Sequence, residues 1–279
     1  MTACSDAAPP LPTKGFGSGA ALGSTASPEA VSNAHDAEMI SIPGATFEMG
    51  CTGEDEPRCA QDLHTETVED FELDRYEVLR EDYLVCVADG VCTPPFFAVD
   101  PMLSIPEGDD VPVGGIDHTQ AEIYCEWADK RLPTSAEWEL AARGPDGGNS
   151  YPWGDDWDPS LCNGCDTPWT IETEHSDYTE CDGSVDGYSG MAPKDAFPEG
   201  DSFYGVAQMC GNAFEWTSDP WEATEGSGED LSGEYWVIRG GGFGPFNGMG
   251  DATNGLLAWK EQKDPTNAAG DHIGFRCAR

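Results

Sequence analysis

Basic residues are scarce in this sequence, and their scarcity limits its partners. Of 279 residues, 13 are lysine or arginine and 53 are aspartate or glutamate, so the formal net charge is −40 at pH 7. Binding to nucleic acid, or to an anionic membrane surface, requires a basic patch that this composition does not supply. We therefore expect no nucleic-acid partner. Solubility explains most of the acidity, except where particular carboxylates bind cations.

Long apolar runs and several common catalytic motifs are also absent. No stretch is long and apolar enough to span a bilayer. The sequence has no internal repeat, no Gly-x-Ser-x-Gly motif, no phosphate-binding glycine loop and no dinucleotide-binding fingerprint. The glycine-rich segment VIRGGGFGPFNGMGDATNG, residues 237–255, lacks the strand and helix that flank a nucleotide-binding loop. It is a binding loop, an active-site loop without active groups, or only a turn.

Cysteine, in contrast, is abundant, with 11 residues. The short spacings Cys51–Cys59 and Cys86–Cys92 indicate local disulfides formed in an oxidising compartment. Cys162 and Cys165 form a Cys-x-x-Cys pair that is also typical of zinc sites. No second such pair and no paired histidines accompany it, so disulfides are the favoured interpretation.

The N-terminal residues predict a tethered protein. The sequence MTACS resembles the end of a bacterial lipoprotein signal, without the charged and apolar parts of such a signal. We expect Cys4 to be the lipidated first residue of a mature protein whose start lies upstream; chance is the alternative. Residues 1–37, rich in Ala, Gly, Ser and Pro, are then a flexible tether. Residues 38–279 are the folded domain.

Regular secondary structure is predicted mainly in the first half of the chain. Alternating apolar residues predict strands at 39–50, where a turn follows, and at 68–78. Two helices begin with capping boxes, formed by Asp117 with Gln120 and by Thr134 with Glu137. After Gly144 the sequence is mostly loop, dense in Trp, Gly, Asp and Pro. Such long irregular segments need disulfides or metal ions to hold them.

A series of motifs identifies the family. In chain order they are ISIPGATFEMG, DRYEV, VPVGGI, AEIYCEWADKRLPTSAEWELAARG, YPWGDDWD, YGVAQMCGNAFEWTSD, VIRGGG and IGFRCAR. Together they resemble the formylglycine-generating enzyme, or sulfatase-modifying factor, family over residues 38–279. The resemblance implies a single α+β, loop-rich, C-type lectin-like domain that is stapled by disulfides and binds calcium. Five basic residues lie inside these motifs, and we expect them to pair with carboxylates, with exposure at the surface as the alternative for each: Lys130, Arg131, Arg143, Arg239 and Arg276.

The resemblance also shows what the glycine-rich loop lacks. Family members that convert a sulfatase cysteine to formylglycine use two cysteines after the Arg-Gly-Gly run to bind copper(I). The matching positions here are Pro245 and Gly250. Copper(I) selects soft thiolate ligands, so neither residue substitutes for cysteine. The family's serine after Arg-Gly-Gly is Gly242, and an aromatic position that is usually Trp is Phe214. We therefore expect no copper and no such oxidase activity.

Histidine does not supply another metal centre in this interpretation. Other branches of the family hold non-haem iron with histidines from an added domain. The five histidines of this sequence are scattered, and no iron site is predicted from them: His35, His64, His118, His175 and His272.

Calcium ligands, by the same resemblance, are retained. The first site maps onto the side chains of Asn163 and Asp186 and the carbonyls of Gly164 and Tyr188. The second maps onto the side chains of Gln208 and Glu215 and the carbonyls of Gly211 and Ala213. These are the hard oxygen ligands that calcium prefers. Gln208 replaces the usual Asn or Asp and keeps an oxygen donor. Solvated surface acids are the alternative for Asp186 and Glu215.

The family pattern pairs Cys125 with Cys277, which joins the main helix to the C-terminal segment. Cys162, Cys165, Cys181 and Cys210 then remain, and their three possible pairings stay open.

Two functions are compatible with these observations. The favoured one is a calcium-binding, extracytoplasmic, non-catalytic module that binds an unidentified protein or glycan through its C-terminal loops. Candidate contact residues are Phe243, Phe246, Asn247, Met249, Asn254 and Trp259, unless these aromatics only pack the core. The alternative is a formylglycine-generating oxidase. We expect a secreted, cell-surface or periplasmic lipoprotein that meets a membrane only through its lipid; no oligomeric state is predicted.

Overall fold

The computed structural model describes Ser27 and residues 37–51, 63–96, 110–164, 186–188, 190–221, 234–243, 256–258 and 260–279. Its strands are β1 (Met39–Ile42), β2 (Ala45–Met49), β3 (His64–Val68), β4 (Phe71–Asp74), β5 (Phe214–Pro220), β6 (Tyr235–Arg239), β7 (Gln262–Pro265) and β8 (Ile273–Gly274). Its α-helices are α1 (Arg80–Asp89), α2 (His118–Trp127) and α3 (Ser135–Arg143), and a 3₁₀ turn covers Pro198–Gly200. The predicted tether lies outside the described residues, apart from Ser27 and Ala37.

The strands form three small sheets. β1 pairs with β4 and β2 pairs with β3, both antiparallel. A four-stranded sheet has the order β7-β6-β5-β8, in which only β5 and β8 run parallel. The predicted strand at 39–50 becomes β1 and β2, with Phe47 and Met49 buried on one face. The predicted strand at 68–78 was too long, because the chain turns where the Asp70 carboxylate accepts a hydrogen bond from Gly44 N at 2.7 Å.

Both predicted capping boxes are present. Asp117 Oδ1 accepts from Gln120 N, and the Gln120 side chain accepts from Asp117 N; Thr134 and Glu137 do the same at α3. The prediction missed α1. Its first turn has no side-chain cap, and only Tyr83 and Cys86 of this helix are buried, so the sequence shows little helical periodicity.

Two large apolar clusters make the core. One packs α2 against the four-stranded sheet. The other packs α3 against the two-stranded sheets β1–β4 and β2–β3, with Trp138 fully buried. All five basic residues pair with carboxylates, as predicted; Arg131 is exposed and the other four are buried. The pairs are Lys130–Asp74 at 2.6 Å, Arg131–Glu137 at 2.6 Å, Arg143–Glu139 at 2.6 Å, Arg239–Glu139 at 3.0 Å and Arg276–Glu215 at 2.7 Å.

Disulfides connect both neighbouring and distant parts of the chain. The structure contains Cys86–Cys92 and Cys125–Cys277, two of the pairs inferred from the sequence. It also joins Cys162 to Cys210, which selects one of the three open pairings. Cys51 is disulfide-bonded as well. Cys4, Cys59, Cys165 and Cys181 lie outside the described residues. No helix in the described part of the chain has both the length and the apolarity to cross a membrane.

Candidate cation sites and the loop after Arg239

A buried turn before β5 is the centre of the candidate site. In it Gln208, Gly211 and Asn212 have φ values of 53°, 71° and 62°. The left-handed region costs a non-glycine residue on the order of 1 kcal/mol or more, so two such residues in one turn must be held by their surroundings. Disulfide Cys162–Cys210 and the bridge between Asn163 and Gly211 hold this turn against the preceding loop.

Asn163 has an unsatisfied oxygen in the first predicted site. Its side chain is fully buried, and Nδ2 donates to the Gly190 carbonyl at 2.8 Å and to Asn212 Oδ1 at 2.9 Å. A carbonyl can only accept, so the amide orientation is set and Oδ1 points the other way. That Oδ1 has no hydrogen-bond partner. Leaving a buried acceptor unsatisfied costs about 1–3 kcal/mol, which favours a ligand there.

The other residues of the first site lie beside Asn163. The Asp186 carboxylate accepts from Gly164 N at 3.2 Å and from Tyr188 N at 2.8 Å. Gly164 follows Asn163 directly in the chain. The fold therefore brings together all four residues of this predicted site, although residues 165–185 separate them in sequence.

In the second predicted site, both side chains already have hydrogen-bond partners within the protein. Gln208 Nε2 donates to the Pro193 carbonyl at 2.7 Å, which directs Oε1 toward Asn212 Nδ2. Glu215 is fully buried, so it is not the solvated acid considered as an alternative. Its carboxylate accepts from Arg276 Nε at 2.7 Å, Arg276 Nη2 at 2.8 Å and Trp138 Nε1 at 2.9 Å. The charge of Glu215 is thus already compensated within the protein.

Glu77 is a further buried carboxylate at this site, and it was missed in the sequence. It is 2% exposed; Oε1 accepts from Ala213 N at 3.1 Å and Oε2 from Asn212 Nδ2 at 3.0 Å. Burial, and secondly the charge of Glu215, raise the pKa of Glu77 to about 8. Its position in the sequence could have indicated it, because Glu77 is an acidic residue between Tyr76 and Val78 in the motif DRYEV, which leads into the core.

Asn212 joins the two sites. Its Oδ1 accepts from Asn163 Nδ2 and from Ala192 N, and its Nδ2 donates to Glu77 and Gln208. One buried amide therefore contacts residues of both predicted sites. Rotating the Asn212 amide by half a turn would instead place its Oδ1 against Glu77 Oε2, and both atoms are acceptors.

The first site brings together the Asn163 amide oxygen and the Asp186 carboxylate, and oxygens of these types suit calcium. Among the residues that the structure describes, no group of three or more His, Cys, Asp or Glu side chains could hold a metal. A cation here would therefore depend on amide and carbonyl oxygens as well as carboxylates. The unsatisfied Oδ1 of Asn163 fits that requirement.

The loop after β6 keeps its structural residues. Arg239 is fully buried between Glu139 and Glu261, and Gly240 and Gly241 have φ values of 87° and 77°. A Cβ at Gly242 would meet the Phe214 ring at 3.3 Å and His272 Cβ at 3.4 Å. The position that the resemblance assigns to a serine therefore lies against the Phe214 ring and the side chain of His272.

Of the predicted contact residues, only Phe243 is described. It is partly buried and packs against Val111, Met191 and Ala213, so packing accounts for much of this ring. Outside the described residues lie Pro245, Phe246, Asn247, Met249, Gly250, Asn254 and Trp259.

The described histidines lie in different parts of the fold. His118 stacks on Trp236 with ring centroids 3.8 Å apart, and burial lowers its pKa, which indicates a packing role. His64 is on β3, and His272 Nδ1 lies 3.0 Å from Asp271 Oδ1. His35 and His175 are outside the described residues.

Small sheets around a loop-rich, disulfide-stapled core, with a glycine run after a buried arginine, define a sulfatase-modifying-factor type of domain. Residues 24–279 match the family model of the sulfatase-modifying factor enzyme 1-like domain, and the chain belongs to this family. The fold and family predictions are thereby confirmed.

Relatives in the family include enzymes and inactive proteins. The formylglycine-generating enzyme of Thermomonospora curvata is 31% identical over 294 residues, covering 86% of this chain and 92% of that protein. The inactive C-alpha-formylglycine-generating enzyme 2 of Bos taurus is 32% identical over 169 residues, covering 61% of this chain but only half, 50%, of that protein. Among solved structures, PvdO from Pseudomonas aeruginosa has a TM-score of 0.63 at 24% identity, covering 88% of this chain and 95% of PvdO, a likeness of fold alone.

Proposed function

We propose that this chain is a non-catalytic, calcium-dependent member of the sulfatase-modifying factor family that binds a protein or glycan ligand. The observation that carries the proposal is the loop after Arg239. The buried arginine and the left-handed glycines that shape it are present, whereas Pro245 and Gly250 stand where the resemblance places the copper-binding cysteines. A family with named inactive members supports the same interpretation.

Calcium has a structural role in this proposal. The fully buried Oδ1 of Asn163 requires a partner, and Asp186 lies beside it with its carboxylate oriented by two backbone N–H groups. A cation bound only by the folded protein stabilises that state by mass action. The ligand-binding loops that follow β6 start from this calcium-dependent scaffold, because Gly240 O accepts a hydrogen bond from Gly211 N at 2.7 Å.

A location outside the cytoplasm belongs to the proposal. Disulfides persist in oxidising compartments, and at least three connect buried parts of this fold. Acylation of Cys4 would place the domain at a membrane surface. Intact mass of the protein recovered from a bacterial envelope measures the acyl group; an unmodified Cys4 contradicts the anchor.

The ligand is tested by binding of the full chain to immobilised proteins and glycans, in calcium and after chelation. We expect a calcium-dependent ligand whose binding is lost in Phe246→Ala and Trp259→Ala. The matched control is Phe203→Ala, which removes a ring that is 70% exposed elsewhere on the surface. Equal loss in the control, or binding that survives both loop variants, contradicts the proposal.

The oxidase remains the second candidate, because the Thermomonospora curvata enzyme matches 86% of this chain. Incubation with copper(I), oxygen and a sulfatase-type cysteine peptide separates the two, with that enzyme as positive control. We expect the thiol to stay unmodified. Formation of the aldehyde, detected by mass, would establish catalysis.

A further inference from the structure

A cleft of about 620 Å³ lies between β3, the start of α3 and the end of β5. This volume is within the range of cavities that bind ligands in proteins. None of its described lining residues is a candidate calcium ligand or belongs to the loop after Arg239, so the cleft is separate from the sites described above. No lysine or arginine is among these lining residues, whereas five carboxylates are: Glu66, Glu69, Glu137, Asp219 and Glu261.

Only some of these carboxylates are compensated within the protein. Glu137 and Glu261 each pair with an arginine, at 2.6 Å and 2.8 Å. Glu66 lies 3.8 Å from a histidine, which is charged only when it is protonated. Among the described residues, Glu69 and Asp219 have no ion-pair partner. The cleft therefore carries net negative charge, and this charge favours a cationic occupant.

β3 presents a free edge at the same cleft. It pairs with β2 and with no other described strand. From Thr65 to Val68, its backbone forms no hydrogen bond with any described element besides β2. Residues 66–69 all line the cleft, and successive side chains of a strand point to opposite faces, so the edge itself borders the cleft. Such an edge offers N–H and C=O groups with which another extended chain can pair.

Apolar side chains form the rest of the lining. Met49, Val68 and Val237 are buried, and Trp221 is partly exposed where the chain leaves β5. Lysine and arginine have apolar stems that end in a charged group. Their side chains therefore match a cleft in which apolar surface lies beside carboxylates.

Charge also selects among the possible occupants of the β3 edge. A second copy of the chain would bring Glu66 and Glu69 to the same carboxylates, and like charges on facing strands destabilise the pairing. Each copy also has a net charge of −40. Nucleic acid and anionic lipid carry the same sign of charge as the cleft. A basic extended segment has the opposite sign, and main-chain pairing with an edge strand is an established mode of peptide binding.

We propose that β3 accepts an extended, basic segment of a partner protein as an added strand, with lysine or arginine side chains in the cleft beside Glu66, Glu69 and Asp219. Alternate side chains of the segment would enter the cleft, because side chains alternate along a strand. The proposal requires neither bound calcium nor a ligand at the loop after Arg239.

The charge component is tested with a labelled peptide of alternating lysine and threonine, titrated with the full chain by fluorescence anisotropy. The double variant Glu66→Gln, Glu69→Gln should bind it about threefold to tenfold more weakly, as expected for two partly exposed ion pairs. The matched control is Asp195→Asn, Glu199→Gln, which has the same net charge but alters exposed acids that do not line the cleft. This control should bind like the unmodified protein. Equal losses in both double variants, or no binding to the unmodified protein, overturn the inference.

The backbone component is tested on the peptide, so it does not depend on a variant that folds. All lysine N–H groups of the extended peptide point to one edge, and all threonine N–H groups point to the other. Of two isomers, one N-methylated at every lysine and one at every threonine, the isomer whose methyl groups meet β3 should bind at least about tenfold more weakly, because it loses several hydrogen bonds. Amide hydrogen exchange of Thr65–Val68 should slow when the unmethylated peptide binds. Equal affinities of the two isomers, or unchanged exchange, overturn the inference.

Discussion

Asn163 and Asn212 form a side-chain pair in which Nδ2 of the first donates to Oδ1 of the second at 2.9 Å. The same bond turns Oδ1 of Asn163 into a buried position without a hydrogen-bond partner. Asn212 Nδ2 in turn contacts Glu77 and Gln208. The pair therefore sets the orientation of oxygen atoms in both candidate cation sites, and several measurements follow from it.

Calcium should stabilise the protein through the first site. At a hundredfold excess over Kd, one ion bound only by the folded state adds about 2.7 kcal/mol to the free energy of unfolding. Chelation should lower the melting temperature, and added calcium should restore it. Asn163→Leu and Asp186→Ala should blunt this response, because each removes a ligand oxygen. Glu199→Gln, on an exposed acid, should respond like the unmodified protein. A melting curve insensitive to chelator would contradict the site.

The Trp138 indole should stabilise the protein through its N–H hydrogen bond as well as through its buried apolar surface. It is fully buried and donates to Glu215 at 2.9 Å. Trp138→Phe leaves one carboxylate lone pair without its donor and opens a cavity, so we expect a loss of about 1–3 kcal/mol in denaturant unfolding. The control is Trp221→Phe, a partly exposed residue directly after β5, which should change stability by less. Equal effects in both variants would mean that the buried hydrogen bond contributes nothing.

The two described disulfides with the most different loop lengths should differ in strength. Cys125–Cys277 spans 152 residues and Cys86–Cys92 spans 6. On the chain-entropy model the first stabilises by about 5 kcal/mol and the second by about 2 kcal/mol. Unfolding of the two paired Cys→Ala variants, compared with the unmodified protein, measures both. A larger loss from removal of Cys86–Cys92 would show that loop closure is not the dominant effect.

Asp82 should make stability depend on pH between about 4 and 6. Burial, and secondly the charge of Glu81, raise its pKa from 3.8 to about 6. A carboxyl whose folded pKa is raised binds its proton more tightly in the folded state, so its contribution is favourable at low pH and is lost as pH rises through this window. Melting temperatures of Asp82→Asn relative to the unmodified protein should therefore rise across it. Asp195→Asn, an exposed acid, should show no such trend; a flat difference for Asp82→Asn would contradict the assignment.

Local signals in the sequence predicted the elements that short-range interactions decide. The capping boxes of α2 and α3 involve residues three positions apart, and the alternation of Phe47 and Met49 lies within one strand. The pairing of the motif arginines with carboxylates was also predictable, because a chain so rich in acid buries few cations without partners. The first helix, α1, could not be predicted in this way, because Leu79 offers no side-chain cap and the helix buries only two side chains.

By itself, the sequence determined the family, because the family motifs are a property of residue identity and order. It also places Pro245 and Gly250 where the resemblance expects copper-binding cysteines. Only the tertiary structure decided that Cys162 pairs with Cys210, that Glu215 is held by Arg276, and that Glu77 reaches the turn 136 residues away. Each of these depends on which groups meet across long stretches of chain. The free-energy cost of burying a charge depends on which groups surround it in the fold, and no local sequence pattern shows those groups.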